Sequence, residues 1–241
     1  MAETMISMHH LAKRFGKQVV LSDINFDVQK GEIVGLMGPS GAGKSTVIKA
    51  ILGMIAVDRG KATVFDTQMP NRELLARIGY MAQTDALYDT LTARENLVFY
   101  GKMKGLDKTV LTHDVEHVAM VVDLLSDLDK RVINFSGGMQ RRLSLAIALL
   151  GTSDLLILDE PTVGIDPALR QKIWRELHQI RDAGRSILIT THVMDEAELV
   201  DQVALLMAGK VMAFNPPEIL KAQYQVDSIE SVFLKAEGVQ L

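Results

Sequence analysis

Residues 38–46 read Gly38-Pro39-Ser40-Gly41-Ala42-Gly43-Lys44-Ser45-Thr46. This stretch fills every fixed position of the phosphate-binding motif G-x-x-x-x-G-K-[ST]. The preceding residues, 33–37, are apolar and partly β-branched and predict a buried strand, whereas residues 46–52 predict a helix. A strand, a glycine-rich loop and a helix in this order predict a site for a nucleoside triphosphate with magnesium. The alternative is a glycine-rich turn that matches the motif by chance.

The residue types of the loop explain how it would hold phosphate groups. Glycines let the backbone approach the ligand, and the N–H groups at the start of the helix present positive potential. We expect Lys44 to reach the outer phosphates as a point charge and the Ser45 hydroxyl to bind magnesium. All the residues of the motif, from Gly38 to Thr46, are therefore candidate nucleotide-binding residues.

Composition limits the class of protein. The chain has 241 residues, of which 48% are hydrophobic, and this is enough for one large domain with a packed core. A net charge of −4 gives no general basic field, so we expect no nucleic-acid partner. The absence of cysteine excludes disulfides and thiolate metal sites. The uncharged apolar stretch at 143–153 is too short for a bilayer span of about 20 residues, so we expect a soluble chain whose membrane spans come from another protein.

Apolar runs along the chain predict an α/β fold. Residues 78–81, 155–158, 187–190 and 203–207 form runs typical of strands buried on both faces of a parallel sheet, and helical patterns lie between several of them. Upstream of the phosphate loop, short apolar runs alternate with turns and predict antiparallel strands. We therefore predict a P-loop NTPase core with a mainly parallel sheet and an N-terminal antiparallel β subdomain.

Further segments complete the single domain that we predict over residues 1–241. Residues 88–150 lack strand-like runs and carry helical spacing, which predicts an α-helical lobe inserted into the sheet domain. Asp166 and Pro167 predict the start of a later helix, with a side-chain cap followed by proline in the first turn. For residues 215–241 we expect a short tail with one or two short helices.

Polar residues follow three of the predicted parallel strands. Gln83 follows the first, Asp159 and Glu160 follow the second, and His192 follows the third. Because ligands bind outside the carboxyl ends of parallel strands, we expect these side chains to meet beside the phosphate loop. Asp159 would hold magnesium directly or through water, and Glu160 would polarise an attacking water. The alternatives are carboxylates that cap the next segment and a histidine that is structural or solvated.

A second glycine-containing segment points to a family. Residues 135–142 read Phe135-Ser136-Gly137-Gly138-Met139-Gln140-Arg141-Arg142, and residues 154–161 read Asp154-Leu155-Leu156-Ile157-Leu158-Asp159-Glu160-Pro161. With the phosphate loop, these segments resemble the nucleotide-binding subunit of an ATP-binding cassette (ABC) transporter, over residues 15–215. Ser136, Gly137 and Gly138, here called the signature, offer a helix cap and bare backbone N–H groups, so they form a second anion site or an ordinary helix cap. The resemblance implies that two copies pack head to tail, and that each signature covers the ATP held by the other copy.

The resemblance also assigns roles to single residues. Phe15 resembles the aromatic residue that stacks on adenine, with a core phenylalanine as the alternative. Gln83 resembles the residue that touches magnesium and relays the nucleotide state to the membrane partner. Asp166 resembles the aspartate that crosses the dimer interface, with a plain helix cap as the alternative. His192 resembles the switch histidine that contacts the terminal phosphate.

The implied catalytic residues are Glu160, His192 and Gln83, and the implied magnesium ligands are Ser45, Gln83 and Asp159. The sequence departs from the family's pattern at two positions of the signature segment. Phe135 stands where leucine is usual, and Met139 stands where glutamine is usual. Since the serine and both glycines are intact, we expect contact with ATP to be retained.

The form Ser-Gly-Gly-Met with following basic residues, together with residues 163–166 and 191–198, resembles an export branch whose permease is a separate polypeptide. Substrates of that branch include drugs, peptides, lipids and polysaccharides. The resemblance implies ATP and Mg²⁺ as ligands, an integral membrane permease that contacts residues 84–91 and the next helix, and a homodimer or a dimer with a related subunit. It also implies a cytoplasmic, peripheral location on the inner face of the cell membrane. The alternatives are an importer subunit and a soluble regulatory ATPase.

Overall fold

The computed structural model describes residues 3–84 and 86–238. Within them the strands are β1 (Thr4–Phe15), β2 (Gln18–Gln29), β3 (Ile33–Met37), β4 (Arg59–Val64), β5 (Thr67–Gln68), β6 (Ile78–Met81), β7 (Leu155–Asp159), β8 (Ser186–Thr191), β9 (Gln202–Met207) and β10 (Lys210–Asn215). The helices are α1 (Lys44–Ile51), α2 (Ala93–Met103), α3 (Lys108–Val121), α4 (Gly137–Leu149), α5 (Pro167–Asp182), α6 (Pro217–Tyr224) and α7 (Ile229–Ala236). Short 3₁₀ turns lie at Glu73–Arg77, Leu125–Asp127, Val132–Asn134 and Met194–Leu199. The strand order is β5-β4-β1-β2-β10-β9-β3-β8-β7-β6.

A parallel core carries the site. The neighbouring strands β6, β7, β8, β3 and β9 pair in parallel, and β3, β7 and β8 are buried along their whole length. Alternate residues of β3 face opposite sides: Val34 packs in one cluster with Ile48 of α1, and Ile33 packs in another with Ile173 of α5. Helices therefore cover both faces, which is why the strands are mostly apolar without alternation. The carboxyl ends of β3, β8, β7 and β6 meet at one edge of the sheet.

The N-terminal subdomain is antiparallel, as predicted, but its strands are longer than the apolar runs indicated. β1 and β2 each span 12 residues and pair with each other, and β4 pairs with the other edge of β1. The register of β1 shifts at several points, for example between Met8 and Leu11. Such bulges break the strict alternation of apolar residues, so the sequence pattern indicated only fragments of these strands.

Three helices, α2, α3 and α4, lie between β6 and β7. α2 begins with a capping box, in which the Thr92 hydroxyl accepts from the Glu95 N–H (3.1 Å) and the Glu95 carboxylate accepts from the Thr92 N–H (2.8 Å). Leu97, Val118 and Leu143 join the three helices to the core on one face of the sheet. The inserted helical lobe of the predicted fold class is confirmed, while its boundaries at 88 and 150 stay a prediction.

Two short helices, α6 and α7, follow residue 215, where we expected one or two. α7 packs against α6 and against the turn at Met194–Leu199. Val232 and Phe233 of α7 are buried. In residues 3–84 and 86–238, no helix has both the length and the apolar character that a membrane crossing needs.

Candidate active site

The phosphate loop connects β3 to α1 and is shaped by its glycines. Gly41 and Gly43 have φ angles of 81° and 109°, in the left-handed region that residues with a side chain rarely adopt. A Cβ atom on Gly38 would lie 2.1 Å from the carbonyl oxygen of Leu206, and one on Gly43 would lie 2.7 Å from the Leu21 side chain. The loop therefore packs closely against its own chain at Gly38 and Gly43, where a larger residue has no room.

Lys44 is the first residue of α1, and its ammonium group turns back into the loop. Nζ donates to the carbonyl oxygens of Gly38 (2.8 Å) and Pro39 (3.1 Å), and the side chain is 7% exposed. Burial lowers the pKa of the Lys44 ammonium, although the Glu160 and Asp159 carboxylates oppose this effect. A buried cation of this kind is stabilised by a further anion, which is what a bound phosphate group provides.

Thr190 of β8 holds the two acids at the end of β7. The buried Asp159 carboxylate accepts a hydrogen bond from the Thr190 hydroxyl (Oγ1 to Oδ1, 2.5 Å). The Glu160 N–H donates to the carbonyl oxygen (3.1 Å) and to the hydroxyl oxygen (3.0 Å) of Thr190. Glu160 has a φ of 53°, a conformation that costs a non-glycine residue on the order of 1–3 kcal/mol. These bonds hold Glu160 in a strained conformation at the sheet edge.

His192 and Gln83 reach the same place from two other strands. Nδ1 of His192 lies 3.0 Å from Oε1 of Glu160, and Nζ of Lys44 lies 3.9 Å from the same oxygen. Glu160 and Gln83 join the loop around a pocket of about 230 Å³. Its lining residues are Val20, Ser40, Gly41, Gly43, Lys44, Ser45, Thr46, Gln83 and Glu160. The structure thus brings the predicted residues together, while their catalytic and metal-binding roles stay predictions.

The signature lies at the N-terminus of α4 and is exposed. Ser136 caps the helix, because its Oγ accepts from the Met139 N–H at 3.3 Å. A Cβ atom on Gly137 would meet no atom within 4 Å, and one on Gly138 would meet only Ser136 Oγ, at 4.0 Å. Among the described residues, none of the signature lines the pocket around the phosphate loop. The signature is therefore a second helix N-terminus that opens onto solvent.

Phe15 and Asp166 take positions that bear on the alternatives. Phe15 ends β1 and is 50% exposed, with Nζ of Lys13 5.2 Å from its ring centroid, so the core alternative is wrong. Asp166 caps α5 by accepting from the N–H groups of Ala168 (3.1 Å) and Leu169 (3.0 Å), and it is exposed. Adenine stacking by Phe15 and an interface role for Asp166 stay predictions.

Comparison with known proteins identifies the family. The family model described as ABC transporter matches residues 21–163, a segment that contains the phosphate loop, the signature and both acids. The chain belongs to the ABC transporter family. It is an ABC ATPase, which binds and hydrolyses ATP.

Individual relatives agree with this assignment. The ABC ATPase is 42% identical to the Nod factor export ATP-binding protein I of Bradyrhizobium diazoefficiens over 223 residues, which cover 91% of this chain and 73% of that protein. It is 36% identical to the probable multidrug ABC transporter ATP-binding protein YbhF of Escherichia coli over 241 residues, which cover 99% of this chain and 42% of that protein. A solved ATP-binding subunit of an ABC transporter matches with a TM-score of 0.89 at 27% identity, over 97% of this chain and 99% of that one. These findings confirm the predicted family and fold class.

Three polar residues at or near the site escaped the sequence analysis. Thr190 supports both acids, Arg141 of α4 donates to main-chain carbonyls at the site, and the buried Glu196 accepts from the hydroxyls of Thr162 (2.5 Å) and Thr191 (2.6 Å). The sequence offered one signal for Thr190: it carries a hydroxyl group and lies at the end of an apolar run, where the site residues are expected. Nothing in the local sequence marks Arg141, because its partners lie far away along the chain.

Proposed function

We propose that this ABC ATPase drives export through a separate membrane permease, as a head-to-tail dimer that holds two magnesium–ATP complexes. One observation carries the proposal. Residues of the phosphate loop, Gln83 and Glu160 line one pocket, and His192 contacts Glu160. The signature opens onto solvent and contributes nothing to that pocket within the described residues. Such a chain has two half-sites, and a second copy with the same surfaces completes both of them. A related subunit with the same residues would serve equally.

The residues at the sheet edge fit a triphosphate with magnesium. The buried Lys44 provides a cation, and the start of α1 provides N–H donors. The side chains of Ser45, Gln83 and Asp159 provide oxygen atoms of the kind that magnesium prefers. When bound, magnesium neutralises charge on the phosphate oxygens. Phe15, exposed at the end of β1, offers an aromatic face to the adenine.

Glu160 is the proposed general base. Its Oε1 is oriented by His192 Nδ1 at 3.0 Å and Lys44 Nζ at 3.9 Å, and its backbone is held by Thr190. In this position the carboxylate accepts a hydrogen bond from the attacking water and directs the water toward the terminal phosphate, a contribution of about 10²–10⁴-fold in rate. His192, whose side chain is 49% exposed next to Glu160, makes the contact with that phosphate.

A cleft beside Gln83 is the proposed contact surface for the permease. It has a volume of about 210 Å³ and lies between the end of β6 and the helices α2 and α4. Its lining residues are Tyr80, Met81, Ala82, Thr84, Ala86, Leu87, Tyr100, Ser144 and Ile147. Tyr88, 46% exposed, stacks edge-on against Phe99 with ring centroids 4.8 Å apart. Asp85, in the predicted contact segment 84–91, lies outside the described residues.

The names of related proteins support export as the direction of transport. ABC ATPase subunits of transporters work with membrane permease components. We propose export because the relatives at 42% and 36% identity carry names that refer to Nod factor export and to multidrug transport. Since ATP is supplied in the cytoplasm, we place the subunit on the inner face of the cell membrane.

Purification of a tagged Glu160→Gln chain from detergent-solubilised membranes, with ATP and magnesium, tests this proposal. We expect an integral membrane protein to copurify in amounts matching the chain, as identified by mass spectrometry. Recovery with ribosomes, nucleic acid or soluble proteins alone would replace the transporter by a soluble ATPase switch. Inside-out vesicles with the recovered permease give the direction, because an exporter then accumulates substrate inside the vesicles when ATP is added outside.

The contact surface has a matched pair of variants. Tyr88→Ala removes the exposed aromatic ring beside the cleft, and we expect roughly tenfold less permease to copurify. Ile219→Ala removes a side chain that is 52% exposed on α6, outside the helical lobe and the cleft, and should leave copurification unchanged. Hydrolysis by the isolated subunit shows that both variants are folded.

A further inference from the structure

Arg141 of α4 bridges two strand ends at the catalytic edge. One terminal nitrogen, Nη1, donates to the carbonyl oxygens of Ala82 (3.0 Å) and Gln83 (2.9 Å), which follow β6. The other, Nη2, donates to the carbonyl oxygens of Asp159 and Glu160, the latter at 2.9 Å. A single guanidinium therefore contacts the main chain of the predicted relay glutamine and of the predicted base at the same time.

The chemistry of arginine suits this task. A guanidinium is planar and always charged, and it presents its N–H donors in a rigid fork, so it can satisfy several acceptors in a fixed geometry. The Glu160 carbonyl belongs to a residue with a φ of 53°, a conformation that needs support from its surroundings. Arg141 supplies part of that support at the Glu160 carbonyl oxygen, and Thr190 supplies another part at the Glu160 N–H.

The next residue on the helix, Arg142, makes bonds of the same kind in a different place. It donates to the carbonyl oxygens of Val122 (3.2 Å) and Asp123 (2.8 Å), and its Nη1 lies 3.5 Å from the Asp123 carboxylate. Both partners follow α3, so these bonds stay within the helical lobe. Of two adjacent arginines, Arg142 joins the helices of the lobe to each other, and Arg141 joins the lobe to the catalytic edge.

We propose that Arg141 is a positioning residue that couples the orientation of α4, and with it the signature at the start of α4, to the backbones of Gln83 and Glu160. The inference rests on the proposed roles of those two residues. A rotation of the lobe against the sheet moves Arg141 and therefore shifts both strand ends together. The Glu160 carboxylate is then correctly placed for hydrolysis only when the helical lobe has the orientation relative to the sheet that this structure shows.

Arg141→Gln tests this coupling, with Arg142→Gln as the matched control. We expect Arg141→Gln to lower kcat for ATP roughly 10–100-fold, because small displacements of a catalytic group have effects of this size, while the KM for ATP changes less than about threefold. Arg142→Gln should lower the thermal unfolding midpoint at least as much, yet leave kcat within about threefold of the parent. Equal losses of kcat in the two variants, or an unchanged kcat in Arg141→Gln, would overturn the coupling.

Arg141→Lys keeps the positive charge but lacks the planar set of N–H donors of the guanidinium. It therefore tests the proposal even if Arg141→Gln folds poorly. Lysine can reach only part of the four carbonyls, and we expect a kcat between those of the parent and Arg141→Gln. A parent-like kcat in Arg141→Lys would show that charge alone suffices and would overturn the positioning role. Glu160→Gln, measured in parallel, distinguishes a failure of the proposed active site from a failure of the proposed coupling by Arg141. If Glu160→Gln still hydrolyses ATP, the proposed active site fails, whereas a selective failure of the Arg141 prediction leaves that site intact.

Discussion

The phosphate loop and the signature are both glycine-containing helix N-termini, but their glycines do opposite things. In the loop, a Cβ on Gly38 or Gly43 would collide with atoms of the same chain at 2.1 and 2.7 Å. In the signature, a Cβ on Gly137 would meet no atom within 4 Å. Gly38 and Gly43 allow the chain to pack against itself, whereas Gly137 leaves the surface of the signature uncovered. This difference is what the proposed dimer requires, in which the chain builds one anion site by itself and offers the signature to the ATP of a second copy.

The two ends of α4 repeat this contrast within one helix. At the start, the signature is exposed and Ser136 provides the side-chain cap. At the end, Nζ of Lys104 donates to the carbonyl oxygens of Ile147 (3.2 Å), Ala148 (3.2 Å) and Leu150 (2.9 Å). The helix is therefore anchored in the lobe at its C-terminus and presents its N-terminus outward.

The largest expected effect is at the loop's own site. Glu160→Gln keeps the shape of the side chain but cannot accept a proton, so ATP hydrolysis should fall by about 10²–10⁴-fold. ATP binding should remain, and the variant should accumulate as an ATP-bound dimer, measured by phosphate release and by light scattering after size exclusion. Lys44→Ala is the contrasting control, which should lose nucleotide binding and stay monomeric. Unchanged hydrolysis in Glu160→Gln would show that the base lies elsewhere.

The next effect is on stability and sharpens the contrast between the glycines. Gly38→Ala should lower the free energy of unfolding by about 1–3 kcal/mol, because the new Cβ overlaps a backbone carbonyl and the loop must shift. Urea denaturation without nucleotide measures this cost. Gly137→Ala in the signature is the control, because Gly137 does not have a positive φ and no atom lies within 4 Å of the new Cβ, so this change should cost little stability. Equal costs at the two positions would show that close packing does not shape the loop.

A charge in the signature should separate stability from activity. Gly137→Asp places a carboxylate at the N-terminus of α4, where the helix dipole favours it, so the free energy of unfolding should change by less than about 1 kcal/mol. The same charge repels the phosphates of ATP held by a second copy, and hydrolysis should fall roughly 10–100-fold. Gly137→Asn has the same size without the charge and should lose much less. Full activity in Gly137→Asp would contradict contact between the signature and ATP.

The last effect appears only at alkaline pH and concerns Lys104, whose ammonium group binds the last carbonyl oxygens of α4. Burial, with nearby Arg185, lowers the pKa of Lys104 to about 8 from the 10.5 of an exposed lysine, although Asp114 opposes this. Between pH 8 and 10.5 the unfolded chain holds a proton that the folded chain lacks, so stability rises with pH across this window and not below it. Relative to Lys104→Met, the parent should gain roughly 1–3 kcal/mol over that range in denaturation experiments. A constant difference would mean that Lys104 titrates as an exposed lysine.

The parts of the molecule that local sequence dictates were predictable. The strands β3, β6, β7 and β8 appeared as apolar runs because both of their faces are buried, and Gln83, Glu160 and His192 could be placed because parallel strands end at one edge. The phosphate loop was evident from its spacing. Export, the dimer and the individual site roles rest on resemblance, since the permease and the second copy lie outside this chain.

The rest depends on contacts between distant segments. The left-handed backbone of Glu160 is held by Thr190, which lies 30 positions along the chain, and no local pattern announces that pairing. In the sequence, Arg141 looks like an ordinary surface arginine near the start of a helix. In the structure it donates to main-chain carbonyls at the ends of two strands. The sequence did not predict β1 as a single strand, because bulges interrupt the alternation of its apolar and polar residues.

A complementation experiment tests most directly whether the signature of one copy completes the loop site of another. Lys44→Ala inactivates the loop and Gly137→Asp the signature, so each variant alone should be nearly inactive. In a mixed dimer both defects fall in one site, and the other site combines an intact loop with an intact signature. Each mixed dimer has one good site, so we expect the mixture to be several-fold more active than the sum of the two variants measured separately. A mixture no more active than the sum of its two components would contradict a site shared between copies.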